Sequence, residues 1–154
     1  MAVKPVPDGY HTVTPYLIVK GAGQAIDFYK KAFGAQELFR LDAPGGKIGH
    51  AEIQIGDSHV MLADEHPEVG AVAPSGSGHA VSFLLYVDDV DRWFPRALAA
   101  GAKQLRPVAD QFYGDRSGVL TDPFGHCWSI ATHKEDLTPE QMDQRMKSAG
   151  KSCG

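Results

Sequence analysis

One short stretch combines residue types that can do chemistry. The segment "GHAEIQIG", residues 49–56, places His50, Glu52 and Gln54 two positions apart. In an extended strand, residues two apart lie on the same face, about 6–7 Å from one another. His50 and Glu52 could therefore bind a metal, act as an acid/base pair, bind polar groups of a ligand, or form a solvated strand face.

A second stretch, "LTDPFGHCWSIATH" at 120–133, holds two histidines, a cysteine and a tryptophan behind a Pro-Phe-Gly turn. Side chains alternate between the two faces of a strand, so His126 and Cys127 point in opposite directions and make a poor metal pair. The same alternation places Cys127 and Ser129 on one face, whereas Trp128 is expected to lie in the core. The stretch therefore predicts a tight turn followed by a strand that closes a sheet.

A third stretch predicts the rim of a β-hairpin, with two aromatic residues before a glycine turn and an Asp-Arg pair after it. Phe112 and Tyr113 could stack on a flat ligand or shield the core. Arg116 could meet an anionic group of a substrate. Pairing of Arg116 with Asp115 or Asp122, which would hold the turn, is the favoured interpretation.

Composition limits the classes of function that need to be considered. The chain has 154 residues, of which 43% are hydrophobic and 22% charged, so it can bury a core. Its net charge is −4, and no basic run is present, which argues against nucleic acid or an anionic membrane as a partner. No secretory signal or membrane-spanning run is visible, and Cys127 and Cys153 lie in unlike contexts. A reducing cytoplasm is therefore expected, without a disulfide framework.

The elements that must position these residues follow one order twice. A strand over 13–19, a helix over 23–34 and three strands up to residue 65 make the first copy. Residues 82–133 again predict a strand, a helix over 89–101 and three strands. Equivalent positions lie 67 residues apart in the first half of each copy, so the pattern indicates a duplicated unit.

The chain therefore divides into a first module at 1–65, a Pro/Gly/Ser-rich segment at 66–80 and a second module at 81–134. The intervening segment is expected to be a flexible linker or a loop over a pocket. Residues 135–154 predict a short helix with Thr138 as its N-cap, followed by a tail. The modules and the tail together are expected to form one structural domain.

Four segments, which together cover almost all of residues 14–142, give the sequence a family likeness: "TPYLIVKGAGQAIDFYKKAFGA", "GHAEIQIGDSHVMLADE", "LYVDDVD" and "FYGDRSGVLTDPFGHCWSIATHKEDLTPEQM". They resemble the vicinal oxygen chelate superfamily, which includes glyoxalase I, extradiol dioxygenases, fosfomycin resistance proteins and bleomycin-binding proteins, and within it the PhnB-like branch. The resemblance implies an α+β fold. Two tandem βαβββ modules would form a curved mixed sheet around a concave pocket, with the helices outside, usually as a homodimer.

The resemblance also implies where a divalent metal would be held, on the first and last strands of each module. In this sequence those positions carry Thr14 and Ser82 on the first strands, Ser129 on the last strand of the second module, and Met61 or Leu62 on that of the first. Such side chains do not make the nitrogen and oxygen cage that these metals need. Neither a metal nor another cofactor is therefore expected.

Three functional hypotheses remain open. The favoured one is a small organic ligand bound in the concave pocket without the usual metal site, with these candidate contacts: Tyr16, His50, Glu52, Tyr86, Phe112, Tyr113, Arg116 and Ser129. The alternative is a lyase, isomerase or dioxygenase-like enzyme with a displaced metal or acid/base site around His50 and Glu52. A weaker third is a dimeric scaffold without a ligand. A homodimer is expected in each case.

Overall fold

The computed structural model of the chain describes residues 2–150. Its elements follow an order that repeats once. The first module contains β1 (Tyr16–Val19), α1 (Ala22–Phe33), β2 (Gln36–Ala43), β3 (Lys47–Ile55) and β4 (Ser58–Asp64). The second contains β5 (Ser82–Tyr86), α2 (Val90–Ala100), β6 (Lys103–Asp110), β7 (Asp115–Thr121) and β8 (Cys127–His133). The C-terminal helix α3 (Pro139–Ala149) follows. The predicted α+β fold of two βαβββ modules is confirmed.

Each module forms its own four-stranded mixed sheet with the same topology. The strand orders are β1-β4-β3-β2 and β5-β8-β7-β6. The first strand of each module pairs in parallel with the last, and the other neighbours are antiparallel. The crossover helix between the first two strands of each module covers one face of its sheet. The opposite face of each sheet, called the open face below, carries no helix of its own module.

Alternation along the strands and helical periodicity together build one core between the two modules. Helix α1 buries a broad apolar face, and Gly34 ends it in the left-handed conformation with φ 65°. Asp89 begins α2 by accepting a hydrogen bond from the backbone N–H of Asp91. At Gly118 of β7, an added Cβ would lie 2.7 Å from Cε2 of Phe94, so glycine lets α2 pack directly on the sheet. Buried residues of both modules belong to a single hydrophobic cluster.

Polar contacts between the modules lie at the ends of these elements. Arg96 of α2 donates from Nε to the carbonyl of Lys31 at 2.6 Å, so it satisfies a carbonyl that the end of α1 leaves free. His126, just before β8, donates from Nε2 to the carbonyl of Ile18 in β1 at 3.0 Å. These bonds hold α1 against α2 and the start of β8 against β1.

The buried carboxylate of Asp122 makes the most extensive polar connection between the modules. Its Oδ2 accepts hydrogen bonds from the Tyr29 hydroxyl at 2.6 Å and from Trp128 Nε1 at 2.9 Å. Its Oδ1 accepts from the backbone N–H groups of Phe124 and His126, which closes the turn before β8. Burial, followed by the nearby Asp122 charge, raises the pKa of Tyr29 well above its usual range, so its hydroxyl remains a donor.

The C-terminal helix is attached mainly by polar groups. Thr138 and Gln141 form the predicted capping box at its start. Arg145 makes two hydrogen bonds to the carboxylate of Glu135, at 2.9 and 3.0 Å. None of the residues of α3 is buried. Across residues 2–150, no helix has both the length and the apolar character that a transmembrane segment requires.

Replacing Asp122 should weaken the contact between the modules more than any surface change. In Asp122→Ala, four donors lose their acceptor, and we expect a loss of about 3 kcal/mol or more in the free energy of unfolding, measured by urea denaturation. Tyr29→Phe, which removes one donor, should cost about 1–2 kcal/mol. The control Asp27→Ala, on the exposed side of α1, should change stability by less than about 0.5 kcal/mol. An equal effect of Asp122→Ala and Asp27→Ala would contradict this assignment.

Candidate functional site

Three side chains of the first module form a continuous hydrogen-bonded chain on the open face. The hydroxyl of Tyr16 lies 2.8 Å from Nδ1 of His50, and Nε2 of His50 lies 2.8 Å from Oε2 of Glu52. We call these three residues the Tyr–His–Glu chain. Tyr16 is exposed, His50 is half-buried, and Glu52 is buried. The predicted proximity of His50 and Glu52 is therefore a direct contact, and Tyr16 adds a third member.

Strand register explains why these residues meet. Tyr16 of β1 pairs with Met61 of β4, and Met61 in turn pairs with Glu52 of β3. His50 and Glu52 are two residues apart on β3, so their side chains share a face. Phe39 of β2 pairs with Glu52, and its ring centroid lies 5.8 Å from that of His50. An aromatic ring therefore walls one side of the polar chain.

The chemistry of the groups determines where their hydrogens lie. An ionised carboxylate only accepts hydrogen bonds, so Nε2 of His50 carries the hydrogen donated to Glu52. With His50 neutral, Nδ1 is then an acceptor, and it receives the hydroxyl hydrogen of Tyr16. Burial raises the pKa of Tyr16, which keeps the phenol protonated at neutral pH. The arrangement resembles the general logic of a hydroxyl oriented by a histidine that is itself oriented by a carboxylate.

Two cavities lie at the two ends of the chain. The first, about 540 Å³, is lined by Tyr16 and Lys47 together with Glu65 and His66. Part of the predicted 66–80 linker thus borders this cavity, where Pro67–Val69 form one short 3₁₀ turn. The second cavity, about 590 Å³, is lined by Glu52 together with these residues: Pro5, Val6, Pro7, Tyr10, His11, Thr12, Thr14, Phe39 and Met61. Both volumes are large enough for a small organic molecule.

The N-terminal segment forms much of the wall of the second cavity. The Tyr10 ring packs edge-on against His59 of β4, with centroids 4.2 Å apart. Gly9 lies beside the same ring, where an added Cβ would approach His59 Cε1 to 3.0 Å. Sequence analysis missed this segment because it has neither a helical nor a strand period.

The four positions at which the family resemblance implies a metal do not suit one. Thr14 precedes β1 and lines the second cavity, and Met61 of β4 is half-buried beside Glu52. Leu62, the alternative to Met61, is buried in the core. Ser82 pairs with Cys127, and Ser129 pairs with Leu84, on the second module. These positions therefore offer three hydroxyls and a thioether, and not the imidazole or carboxylate donors that such a metal prefers. Among the described residues, no three His, Cys, Asp or Glu side chains cluster as metal ligands.

The second module carries a different polar cluster. The Tyr86 hydroxyl donates to Oδ2 of Asp115 at 2.8 Å, and Nδ1 of His133 lies 2.8 Å from Oδ1 of the same carboxylate. The other ring nitrogen of His133 lies 2.7 Å from Oδ1 of Asp136. Hydrogen bonds to Asp115 first, and to Asp136 second, raise the pKa of His133. The structure thus places the predicted Tyr86 on the open face, hydrogen bonded to Asp115, which also bonds to His133. Sequence reasoning did not select either Asp115 or His133 as a ligand contact.

The remaining predicted ligand contacts are divided between the faces of the second module. Ser129 is half-buried on β8, on the open face. Phe112 and Tyr113 are half-buried in the turn between β6 and β7, and their rings pack edge-to-face at 5.1 Å. Each ring therefore has the other as an aromatic neighbour in this turn.

Arg116 lies on the helix side of the sheet. It makes two hydrogen bonds to Asp91 of α2, at 2.9 and 3.0 Å, and one to Asp110 at 3.2 Å. A structural role was favoured, but the expected partners Asp115 and Asp122 were wrong. Strand alternation places Asp115 on the opposite face, and Asp122 is occupied by Tyr29 and Trp128.

The 120–133 stretch proves to be structural. Trp128 is 4% exposed and belongs to the core, as predicted, and Cys127 is a buried free thiol whose pKa is raised by burial. Cys153 lies outside the described residues. Asp64, the last residue of β4, accepts hydrogen bonds from the backbone N–H groups of Gly21 and Ala22, where α1 begins.

The chain is similar to known proteins over most of its length. Residues 10–130 match the family described as the Glyoxalase/Bleomycin resistance protein/Dioxygenase superfamily. An uncharacterised protein of Mycobacterium bovis is 42% identical over 142 residues, which cover 90% of this chain and 93% of that protein. These matches confirm the predicted superfamily.

Solved structures show the same fold. The gene product At5g48480 of Arabidopsis thaliana is 29% identical, with a TM-score of 0.61 over 79% of this chain and 98% of that one. The PhnB protein from Bacillus cereus is 22% identical, with a TM-score of 0.61 over 79% of this chain and 99% of that one. The likeness to PhnB therefore concerns the fold.

The His133 cluster should make stability depend on pH in a defined direction. Its folded-state pKa lies above the unfolded value, so its stabilising contribution is complete below about pH 6.5 and is lost as the pH rises through the raised folded value. Urea unfolding at several pH values should therefore show a decline for the wild type that is smaller in His133→Gln. Identical pH profiles for the two proteins would contradict this role of His133.

Proposed function

Because the chain belongs to the Glyoxalase/Bleomycin resistance protein/Dioxygenase superfamily, we propose that it binds a small organic molecule on the open face of the first module, without the divalent metal site implied by the resemblance. The observation that carries this proposal is the Tyr–His–Glu chain, which has a cavity at each end, the second of them walled in part by the aromatic ring of Phe39. Concave sites with mostly apolar walls and a few converging polar groups are typical ligand sites. Fold alone does not select the ligand.

The exposure of two aromatic rings supports this function. Phe39 is 44% exposed and Tyr16 48% exposed, although both lie beside buried or half-buried polar groups. A solvated strand face would not need aromatic rings around a buried carboxylate such as Glu52, because exposed rings cost free energy in water. A ligand that covers the rings would remove this cost.

The second candidate function is an acid/base enzyme at the same place. The direct contact between His50 and Glu52 favours it, because a carboxylate that orients an imidazole is a common arrangement for proton transfer. The proposed binding protein and the proposed enzyme would therefore both use His50 and Glu52.

We also propose that a second copy of the chain covers part of the open faces. Tyr16, Phe39 and Leu41 in the first module, and Leu84 and Tyr86 in the second, are all exposed on these faces. Such apolar surface on both modules is typical of a contact between subunits. A homodimer would also close the open side of the first cavity. The free, buried thiol of Cys127 accords with a reducing compartment, for which we propose the cytoplasm.

A thermal-shift screen of aromatic and antibiotic-like compounds, with the protein kept in chelator, should yield ligands that bind without added metal. For a ligand that occupies the second cavity, whose wall includes Phe39, Phe39→Ala should weaken binding about five- to thirtyfold, which corresponds to roughly 1–2 kcal/mol of lost apolar contact. Isothermal titration calorimetry would measure it. Val81→Ala, at an exposed residue just before β5, is the control and should leave the affinity unchanged. Hits that bind only after a divalent metal is added would contradict the metal-free site.

The proposed homodimer can be tested separately through its mass in solution. Sedimentation velocity at micromolar concentration should give twice the 16.6 kDa chain mass. Leu84→Asp, which places a charge in the proposed contact, should shift the protein towards the monomer while its circular dichroism spectrum stays unchanged. A monomeric wild-type protein would contradict the dimer.

A further inference from the structure

The Tyr–His–Glu chain connects the two cavities. Tyr16 lines the first cavity, Glu52 lines the second, and His50 is hydrogen bonded to both of them. A ligand in the first cavity therefore lies beside Tyr16, whose hydroxyl is within hydrogen-bond distance of His50. What Tyr16 can offer to that ligand depends on the protonation of His50.

Two hydrogen arrangements fit the observed distances. With neutral His50, Nδ1 accepts the Tyr16 hydrogen, so the Tyr16 oxygen presents only lone pairs to the first cavity. With protonated His50, both ring nitrogens are donors. Nδ1 then donates to the Tyr16 oxygen, and the hydroxyl hydrogen is free to turn into the cavity. One proton on His50 thus converts Tyr16 from an acceptor into a donor, without movement of any heavy atom.

We propose that the ligand of the first cavity carries a hydrogen-bond acceptor oxygen, such as a carbonyl, opposite Tyr16, and that its binding takes up one proton on His50. This inference rests on the proposed ligand site and adds the chemical class of the ligand. A ligand that accepts from Tyr16 favours the protonated state, in which the hydrogen is available. Glu52 stabilises that state because its carboxylate is the ion partner of the imidazolium.

Few other charged groups face His50. On β2, Leu41 is the pairing partner of His50, and the ring of Phe39 lies nearby. Arg40, between these two residues, donates a hydrogen bond to Glu37. On β4 the side chains opposite the chain are Met61 and Ala63, which do not titrate. His11 lines the second cavity, and His59 of β4 packs against Tyr10 of its wall. Lys47, Glu65 and His66 line the first cavity. The carboxylate of Glu52 is the charged group in direct contact with His50.

The physical consequence is linkage between ligand and proton. If binding takes up one proton, affinity rises by up to about tenfold for each unit by which the pH falls. A ligand that instead donates a hydrogen bond to Tyr16 favours neutral His50. Its affinity should stay constant or fall as the pH falls. Only the accepting ligand gains affinity as the pH falls, so a pair of probes separates the two cases.

Acetophenone, which only accepts hydrogen bonds, and aniline, which donates them, are suitable uncharged probes of similar size. Their binding to the full chain would be followed by NMR titration between about pH 6 and about pH 8, within the range in which histidines change charge. We expect acetophenone to bind more tightly as the pH falls, and aniline not to do so. Long-range nitrogen spectra of the free protein at the upper pH should show the His50 hydrogen on Nε2.

Two variants test the assignment to these residues. Tyr16→Phe removes the hydroxyl, and His50→Gln keeps an amide that can bond to both neighbours but cannot take up a proton. Both should remove the difference in pH dependence between the two probes. His79→Gln, at an exposed histidine in the 66–80 segment, is the control and should retain the difference. Contributions from His11, His59 and His66 would persist in His50→Gln and can therefore be recognised.

The outcomes separate this inference from the function on which it rests. Binding of both probes with equal pH dependence, or a difference that survives in His50→Gln, would overturn the proton linkage but leave the ligand site in place. A free-protein spectrum with the hydrogen on Nδ1 would overturn it as well. Failure of both probes to perturb Tyr16, His50 or Phe39 at any pH would overturn the ligand site, and this inference with it.

Discussion

A single buried carboxylate organises the relation between the two halves of this protein. Asp122 accepts hydrogen bonds from Tyr29 of the first module, from Trp128 of the second, and from the turn that begins β8. A charge in the interior is tolerated only when several donors surround it, so all of these groups must be in place together. The two modules therefore share one core, although each has its own sheet.

The position of the functional face follows from this arrangement. Because α1 and α2 meet in the interior, each sheet uses its helix side for the core and leaves its other side open. Polar residues placed on that open side, such as His50 and Glu52, cost less free energy than they would in the core. The same constraint leaves Phe39 and Leu84 exposed on the open faces. The proposed ligand and the proposed second subunit would each cover part of this exposed apolar surface.

The site differs in kind from the metal centre that the family resemblance implies. The four implied positions carry hydroxyls and a thioether, whereas titratable groups are displaced to neighbouring positions of the same face. The chemistry that we propose there is hydrogen bonding and proton transfer, with His50 hydrogen bonded between a phenol and a carboxylate. Scaffolds of this kind can support different chemistries because the fold requires only the apolar side of each strand.

By itself, the sequence determined the local structure: strand and helix order, the duplication, the helix ends, the core position of Trp128 and the common face of His50 and Glu52. These features depend on periodicity over a few residues, which is legible without tertiary information. Only the tertiary structure decided the contacts between residues distant in the chain. Tyr16 and His50 are 34 residues apart, and their contact depends on the register of β1, β4 and β3. The partners of Arg116, the Tyr86–Asp115–His133 cluster and the N-terminal wall were likewise invisible, because no local pattern records which strands pair or where an aperiodic segment packs.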